Sequence, residues 1–141
     1  MLFNTTYKNE DYITDSVLMV GKAFSFFHKL KTGGIGSGRL IIKEFSRKLE
    51  PKNRIDSEIN YANIELRPKG IIVHFTNRWE RYAWVIPYHL LVIYNTQTFS
   101  IHAEGNFIKC AKNKNYRNNK KFIDKMINTK NQYLNLEYYD G

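Results

Sequence analysis

The sequence predicts a mainly β domain of the α+β class, an antiparallel roll or barrel of seven or eight strands capped by a C-terminal helix. Three observations carry this. From Tyr61 onward, apolar and polar residues alternate with a period of two, as in strands with one buried face. Short Pro-, Gly- and Asn-containing turns separate these runs, so consecutive strands are joined as hairpins, not by crossovers. Beyond Cys110 the apolar spacing lengthens to that of one helical stripe.

Taken in order, residues 1–16 are polar and read as an irregular arm, and residues 17–110 as the antiparallel β region. Residues 17–30 fit either a helical face (Val17, Gly21, Phe24, His28) or a strand around Phe24-Ser25-Phe26. The Gly-rich stretch from Thr32 to Gly38 follows at once, and Arg39-Leu40-Ile41-Ile42-Lys43 reads as a partner strand. The pair is therefore expected to be a hairpin. Residues 46–60 are charged, contain Pro51 and read as a loop. Ile64 and Leu66 flank Glu65, Pro68-Lys69-Gly70 turns the chain, and Ile71, Val73 and Phe75 then alternate with Ile72 and His74. Tyr82, Trp84 and Ile86 share a face of the next strand, which Pro87 ends because it cannot donate to a ladder. Leu90–Tyr94, Phe99–Ala103 and Phe107–Cys110 complete the series, with turns at Asn95-Thr96-Gln97 and Glu104-Gly105-Asn106. Phe122, Ile123, Met126, Ile127, Tyr133 and Leu134 form the stripe of a capping helix over 119–135, with Asn118 or Asn119 as its N-cap.

The chain of 141 residues fits a single domain, 1–141, long enough to bury a core. A hydrophobic content of 43% and an aromatic content of 15% argue against intrinsic disorder. Cys110 is the only cysteine, so neither an internal disulfide nor a thiolate metal site is possible, and a reduced, cytoplasmic setting is expected. The opening MLFNTTYKNEDYITD has the wrong charge order for a secretory peptide, which leaves the Asn4-Thr5-Thr6 acceptor triplet without meaning. The most apolar stretch, Val17 to Leu30, contains Lys22, His28 and Lys29 and is shorter than the roughly 20 residues a spanning helix needs. The net charge of +9 makes nucleic acid and anionic membrane candidate partners. The competing explanation is AT-rich codon usage: Lys, Asn, Ile and Tyr are abundant together, and Lys outnumbers Arg about two to one, whereas phosphate recognition favours the Arg fork.

The hairpin NIELRPKGIIVHF, the segments RYAWVIPYHLLVIY and TFSIHAEGNFIKC, and the closing KFIDKMI together resemble the bacterial pleckstrin-homology-like (PH-like) domains, including their Ile-Pro-aromatic step at Ile86-Pro87-Tyr88. The resemblance covers Tyr61 to Asn131, about half the chain. The whole chain also resembles an uncharacterised protein family of flavobacteria. The resemblance implies a β-roll that binds phospholipid headgroups or protein segments, or assembles with copies of itself. Of the basic motif that lipid-binding members carry in their first hairpin, Lys29, Lys31 and Arg39 stand in the right neighbourhood. Ile41 replaces the second arginine, leaving only a diffuse attraction to anionic lipid.

The strongest candidate for anion or partner binding is the run Lys109, Lys112, Lys114, Arg117, Lys120, Lys121 and Lys125, in which Tyr116 suits stacking on a base. The plain alternative is a solvated loop and the outer face of a helix. Weaker candidates are Lys29, Lys31 and Arg39, and Trp79 between Arg78 and Arg81 as an interface anchor. Gly33-Gly34-Ile35-Gly36-Ser37-Gly38-Arg39 could offer backbone N–H groups to an anion, but neither P-loop nor dinucleotide spacing is met, and a hairpin loop explains it. His74, His89 and His102 lie on or beside strands, His74 and His102 on the same, non-core side. They lack acidic or cysteine partners at ligand spacing, so no metal and no cofactor is expected. No nucleophile elbow or paired-carboxylate pattern exists; Asp56/Glu58 and Glu10/Asp11 sit in polar loops, and no catalytic residue is assigned. The sequence thus favours a non-enzymatic binding or scaffold domain of the bacterial cytoplasm, docking to an anionic membrane surface, peripheral to the inner membrane, or to a partner protein. A homo-oligomer is compatible with this. A small basic nucleic-acid-binding protein and an enzyme of unrecognised type are the alternatives.

Overall fold

A computed structural model describes residues 1–25, 35–50, 59–77 and 80–140. Eight strands form one antiparallel sheet: β1 (Leu2–Asn4), β2 (Leu40–Phe45), β3 (Asn60–Arg67), β4 (Gly70–Asn77), β5 (Glu80–Pro87), β6 (Val92–Asn95), β7 (Phe99–Ala103) and β8 (Asn106–Cys110). Their order is β1-β5-β4-β3-β2-β8-β7-β6, so the sheet is an open roll with β1 and β6 at its edges. The roll curves far enough that Met1 and Leu2, at one edge, share a small cleft with Ala103 and Glu104 of the β7–β8 turn. Among the described residues three α-helices accompany the sheet: α1 (Glu10–Val20), α2 (Lys114–Asn118) and α3 (Lys120–Asp140).

Alternation decides the faces. Ala62, Ile64 and Leu66 of β3, Ile71, Val73 and Phe75 of β4, and Trp84 and Ile86 of β5 all point inward. There they meet Leu40, Ile42, Phe99, Ile101, Ile108 and Cys110. Ile123 and Met126 of α3 are fully buried in this same core, with Phe122, Ile127 and Tyr133 packed at its margin. The helix therefore closes the inside of the roll, as its stripe predicts. Tyr88 fixes the contact: its hydroxyl donates to the Arg67 carbonyl at 3.0 Å, and its ring lies 5.4 Å from that of Tyr133. The Pro87-Tyr88 step thus ends β5 and plants an aromatic under α3.

The N-terminal third departs from the expectation. Residues 1–16 are not an irregular arm: β1 pairs with β5 in the register Phe3↔Ala83, and α1 begins at Glu10. Asn9 caps α1 by accepting from the Tyr12 amide at 3.0 Å, and Glu10 and Asp11 lie favourably in its positively polarised first turn. Val17–Val20 is helical, not the start of a strand, and the described part of the expected hairpin is absent. β2 pairs instead with β3 and β8. The remainder, residues 26–34, lies outside the described residues. α1 covers the outer face of the sheet, where Ile72, Ala83 and Val85 meet Val20 and Phe3, so β4 is buried on both faces. The approach is close. A Cβ on Gly70 would lie 2.3 Å from the Ile86 carbonyl oxygen and 2.5 Å from Val20 Cγ1, so only glycine fits.

Smaller corrections follow the chain. Tyr88–Leu90 is a 3-10 turn, and the strand expected from Leu90 begins at Val92. The turn at Glu104-Gly105 has both residues at positive φ, 51° and 81°, the twist that a tight hairpin requires. The C-terminal helix starts at Lys120 and runs to Asp140, and part of the basic loop before it is helical, α2, capped by Asn113.

Candidate functional site

The basic run is folded into a corner. After β8 the chain turns through Asn113, whose side chain accepts from the Tyr116 amide at 3.3 Å and starts α2. Tyr116 points inward, 7% exposed, with its ring 5.8 Å from Phe99 and its hydroxyl bonded to the Asn95 side chain at the end of β6. It therefore does not offer a stacking surface to a base, contrary to the sequence reading. Burying Tyr116 turns Lys114 and Arg117 outward, burying Ile123 does the same for Lys121, and Lys120 is the first residue of α3; all four are exposed.

Asn119 holds the two helices at this corner. It is not a side-chain cap: only its backbone carbonyl enters α3, accepting from the Ile123 amide at 3.0 Å. Its side-chain oxygen accepts from the Gly38 amide at 2.7 Å, while its side-chain nitrogen donates to the carbonyls of Asn115, 2.8 Å, and Arg39, 3.3 Å. The corner is thus stapled to the chain entering β2. Internal contacts also take two of the amide donors that the Gly-rich stretch could offer to an anion. The Gly38 amide is taken by Asn119, the Ser37 amide by the Ile64 carbonyl, and Gly36 bridges to Glu65. Residues 35–37 run as an added rung on β3, and the Ser37 and Gly38 amides are engaged within the protein.

The predicted residues divide by what they touch. Lys109 is engaged: it pairs with Glu44 at 3.4 Å and lies 5.2 Å over the Phe107 ring. Lys112 donates to the Thr96 carbonyl and sits 5.5 Å over Tyr116. Lys125 is half-buried on α3 and has partners of its own. Lys114, Arg117, Lys120 and Lys121 form no salt bridge among the described residues. Two lysines thus open α3 with no acid in its first turn, where the helix dipole disfavours cations by about 0.3–1 kcal/mol each. Arg39, whose backbone carbonyl is bonded at the corner, and Arg81 line a trough on the outer face of the sheet. Lys29, Lys31, Arg78 and Trp79 lie outside the described residues.

His74 and His102 are on outer faces but do not converge: His74 bonds Glu65 at 2.9 Å, and His102 bonds the Ser100 hydroxyl at 3.1 Å between the rings of Tyr94 and Phe107. No group of three metal-ligating side chains exists among the described residues. Cys110 is buried, which pushes its thiol up to about 12, away from nucleophilic use. No helix among the described residues is long and apolar enough to cross a membrane. What the sequence reading missed is the ion cluster beneath α1, in which Glu65 accepts from Arg67 and His74, and Arg67 also donates to the Gly21 carbonyl at 2.8 Å. The alternation signal was present, since Glu65, Arg67 and His74 all fall on the non-core face, but the pairing depends on β3–β4 register. No protein-family model matches the chain, and no curated protein and no solved structure matches it.

Proposed function

We propose that this protein is a non-enzymatic binding module that docks to an anionic membrane surface through the corner formed by Lys114, Arg117, Lys120 and Lys121. The observation that carries the reading is that these four cations are exposed and free of salt bridges among the described residues, on a corner held at two points, by Asn119 to β2 and by Tyr116 to β6. Their setting also argues against a codon-bias origin. Residues 109–130 hold eight bases and one acid, a surplus of seven, leaving only two of the net +9 for the rest of the chain. Compositional drift would spread the surplus along the sequence.

A lipid surface is favoured over single-stranded nucleic acid because the aromatics of the run are engaged, Tyr116 in the core and with Asn95, and Phe122 packed at the core's margin. Stacking contributes about 1–3 kcal/mol per base in such complexes, and this run has no exposed ring to supply it. Anionic lipid asks only for charge, at about 1 kcal/mol per Lys or Arg near the surface. The test is vesicle sedimentation across a salt series, with phosphatidylcholine vesicles compared with ones containing about one-third phosphatidylserine. Binding should require the anionic lipid and weaken with salt. Lys120→Gln with Lys121→Gln should lose about 2 kcal/mol, roughly 30-fold in affinity. Tight gel-shift binding to DNA or RNA with no binding to anionic vesicles would refute the proposal.

A further inference from the structure

A trough of about 700 Å³ crosses the outer face of β3, β4 and β5, beyond the area covered by α1. Its volume is that of small-ligand sites, commonly about 300–1,000 Å³. Sheet register builds the floor: Asn63 stands opposite His74, and Thr76 opposite Arg81, all on the non-core face. One wall is Arg39, whose guanidinium lies 5.1 Å over the Tyr61 ring; the other is Tyr12 of α1 with Thr5.

Among the described residues the charge balance of this trough is one-sided: no Asp or Glu lines it. Two carboxylates bond to lining residues: Glu65 is spent, one oxygen on Arg67 and the other on His74, which fixes the His74 ring at the floor, and Glu80 accepts from the Tyr82 hydroxyl. Arg39 and Arg81 make no salt bridge among the described residues. An arginine already stacked on an aromatic face is oriented before any ligand arrives, and its planar fork matches a carboxylate or a phosphate. Rings and cations alternate around one concave, half-open surface, which suits an anionic group attached to a flat apolar body.

We propose that this trough binds a small aromatic anion, a carboxylate or phosphate ester on a planar ring, with Arg39 and Arg81 holding the charge and the ring set against Tyr61 and Tyr12. The site is separate from the basic corner and independent of membrane docking. Amide-resolved NMR titration of the full chain tests it, using phenyl phosphate and adenosine monophosphate as probes. Phenol and adenosine serve as uncharged controls and inorganic phosphate as the ringless one. Both charged aromatic probes should shift amides around Arg39, Tyr61–Asn63, His74–Thr76 and Arg81, and bind at least about tenfold tighter than any control. Arg39→Gln and Arg81→Gln alter exposed side chains, so folding should survive and aromatic-anion affinity should fall about tenfold or more. Equal binding of inorganic phosphate, shifts confined to Lys114–Lys121, or no response to either aromatic anion up to about 10 mM would overturn the proposal.

Discussion

Replacing Glu65 with Gln tests whether the ion cluster on the outer face of β3 and β4 contributes to the fold, and pH supplies the control. The Glu65 carboxylate is 22% exposed and accepts from Arg67, 9% exposed, and from His74. Hydrogen bonds to charged groups contribute about 1.5–3 kcal/mol each when well shielded. Partial exposure reduces that, and Arg67 keeps its bond to the Gly21 carbonyl in the variant, so the expected loss is about 2 kcal/mol near neutral pH. Burial acts to raise the Glu65 pKa from its ordinary 4.5, but the hydrogen bonds and charges of His74 and Arg67 outweigh it and the net shift is downward. A carboxyl depressed in the folded state stabilises the protein above its unfolded pKa, and that contribution disappears as pH falls through the folded value. The difference between wild type and Glu65→Gln should therefore be full above about pH 5.5 and shrink progressively below 4.5, because a protonated Glu and a Gln carry the same charge. Urea denaturation of both proteins over a pH series reads this directly. Equal stability near neutral pH, or a difference that stays constant into acid, would show that the cluster does not act as described.

Met126→Ala should cost about 2–5 kcal/mol in urea denaturation, because Met126 is fully buried under the roll, whereas Asn128→Ala on the exposed side should stay within about 0.5 kcal/mol. A small Met126 effect would detach α3 from the core. Cys110, its thiol pushed up to about 12 by burial, should react with a thiol reagent at least about a hundredfold more slowly in native protein than in urea. Lys120→Gln with Lys121→Gln should raise stability by about 0.3–1 kcal/mol per site while weakening vesicle binding; falling stability would mean these side chains support the fold instead.

The sheet was legible from Tyr61 onward because each strand there keeps one face in the main core; alternation and burial coincide in β3, whereas β4 and the second half of β5 are buried on both faces. Asn60–Arg67 and Gly70–Asn77 around Pro68-Lys69 are read directly from the pattern. Helix α3 was legible for the same reason, its stripe meeting a single partner surface. Helix α1 was not. Tyr12, Ser16, Met19 and Val20 face the sheet at helical spacing, but Ile13, Val17 and Leu18 remain exposed, so the apolar residues blur its buried face. Its clearer signal was the cap, Asn9 before Glu10-Asp11. At the candidate site, composition found the basic run, but only the inward turn of Tyr116 and the pairing of Lys109 with Glu44 separate free cations from engaged ones. Such facts depend on contacts between residues far apart in sequence.

Long-range contacts also explain how one small sheet can present two distinct polar surfaces. Arg39 lies at the junction: its carbonyl accepts from Asn115 and Asn119 at the basic corner, while its guanidinium stacks over Tyr61 at the trough. A backbone fixed at this point restricts Arg39 without using its charge, so ordering the side chain for an anion loses less conformational entropy on binding. The lysines of the corner gain differently. Asn119 and Tyr116 immobilise the helical backbone and leave Lys120 and Lys121 side chains exposed, which suits a diffuse charged surface more than a fitted ligand. The stacked Arg39 therefore suits the proposed concave site and the exposed lysines the proposed diffuse one, and the two surfaces differ in chemistry because the Arg39 guanidinium lies on Tyr61 while Lys120 and Lys121 stand exposed.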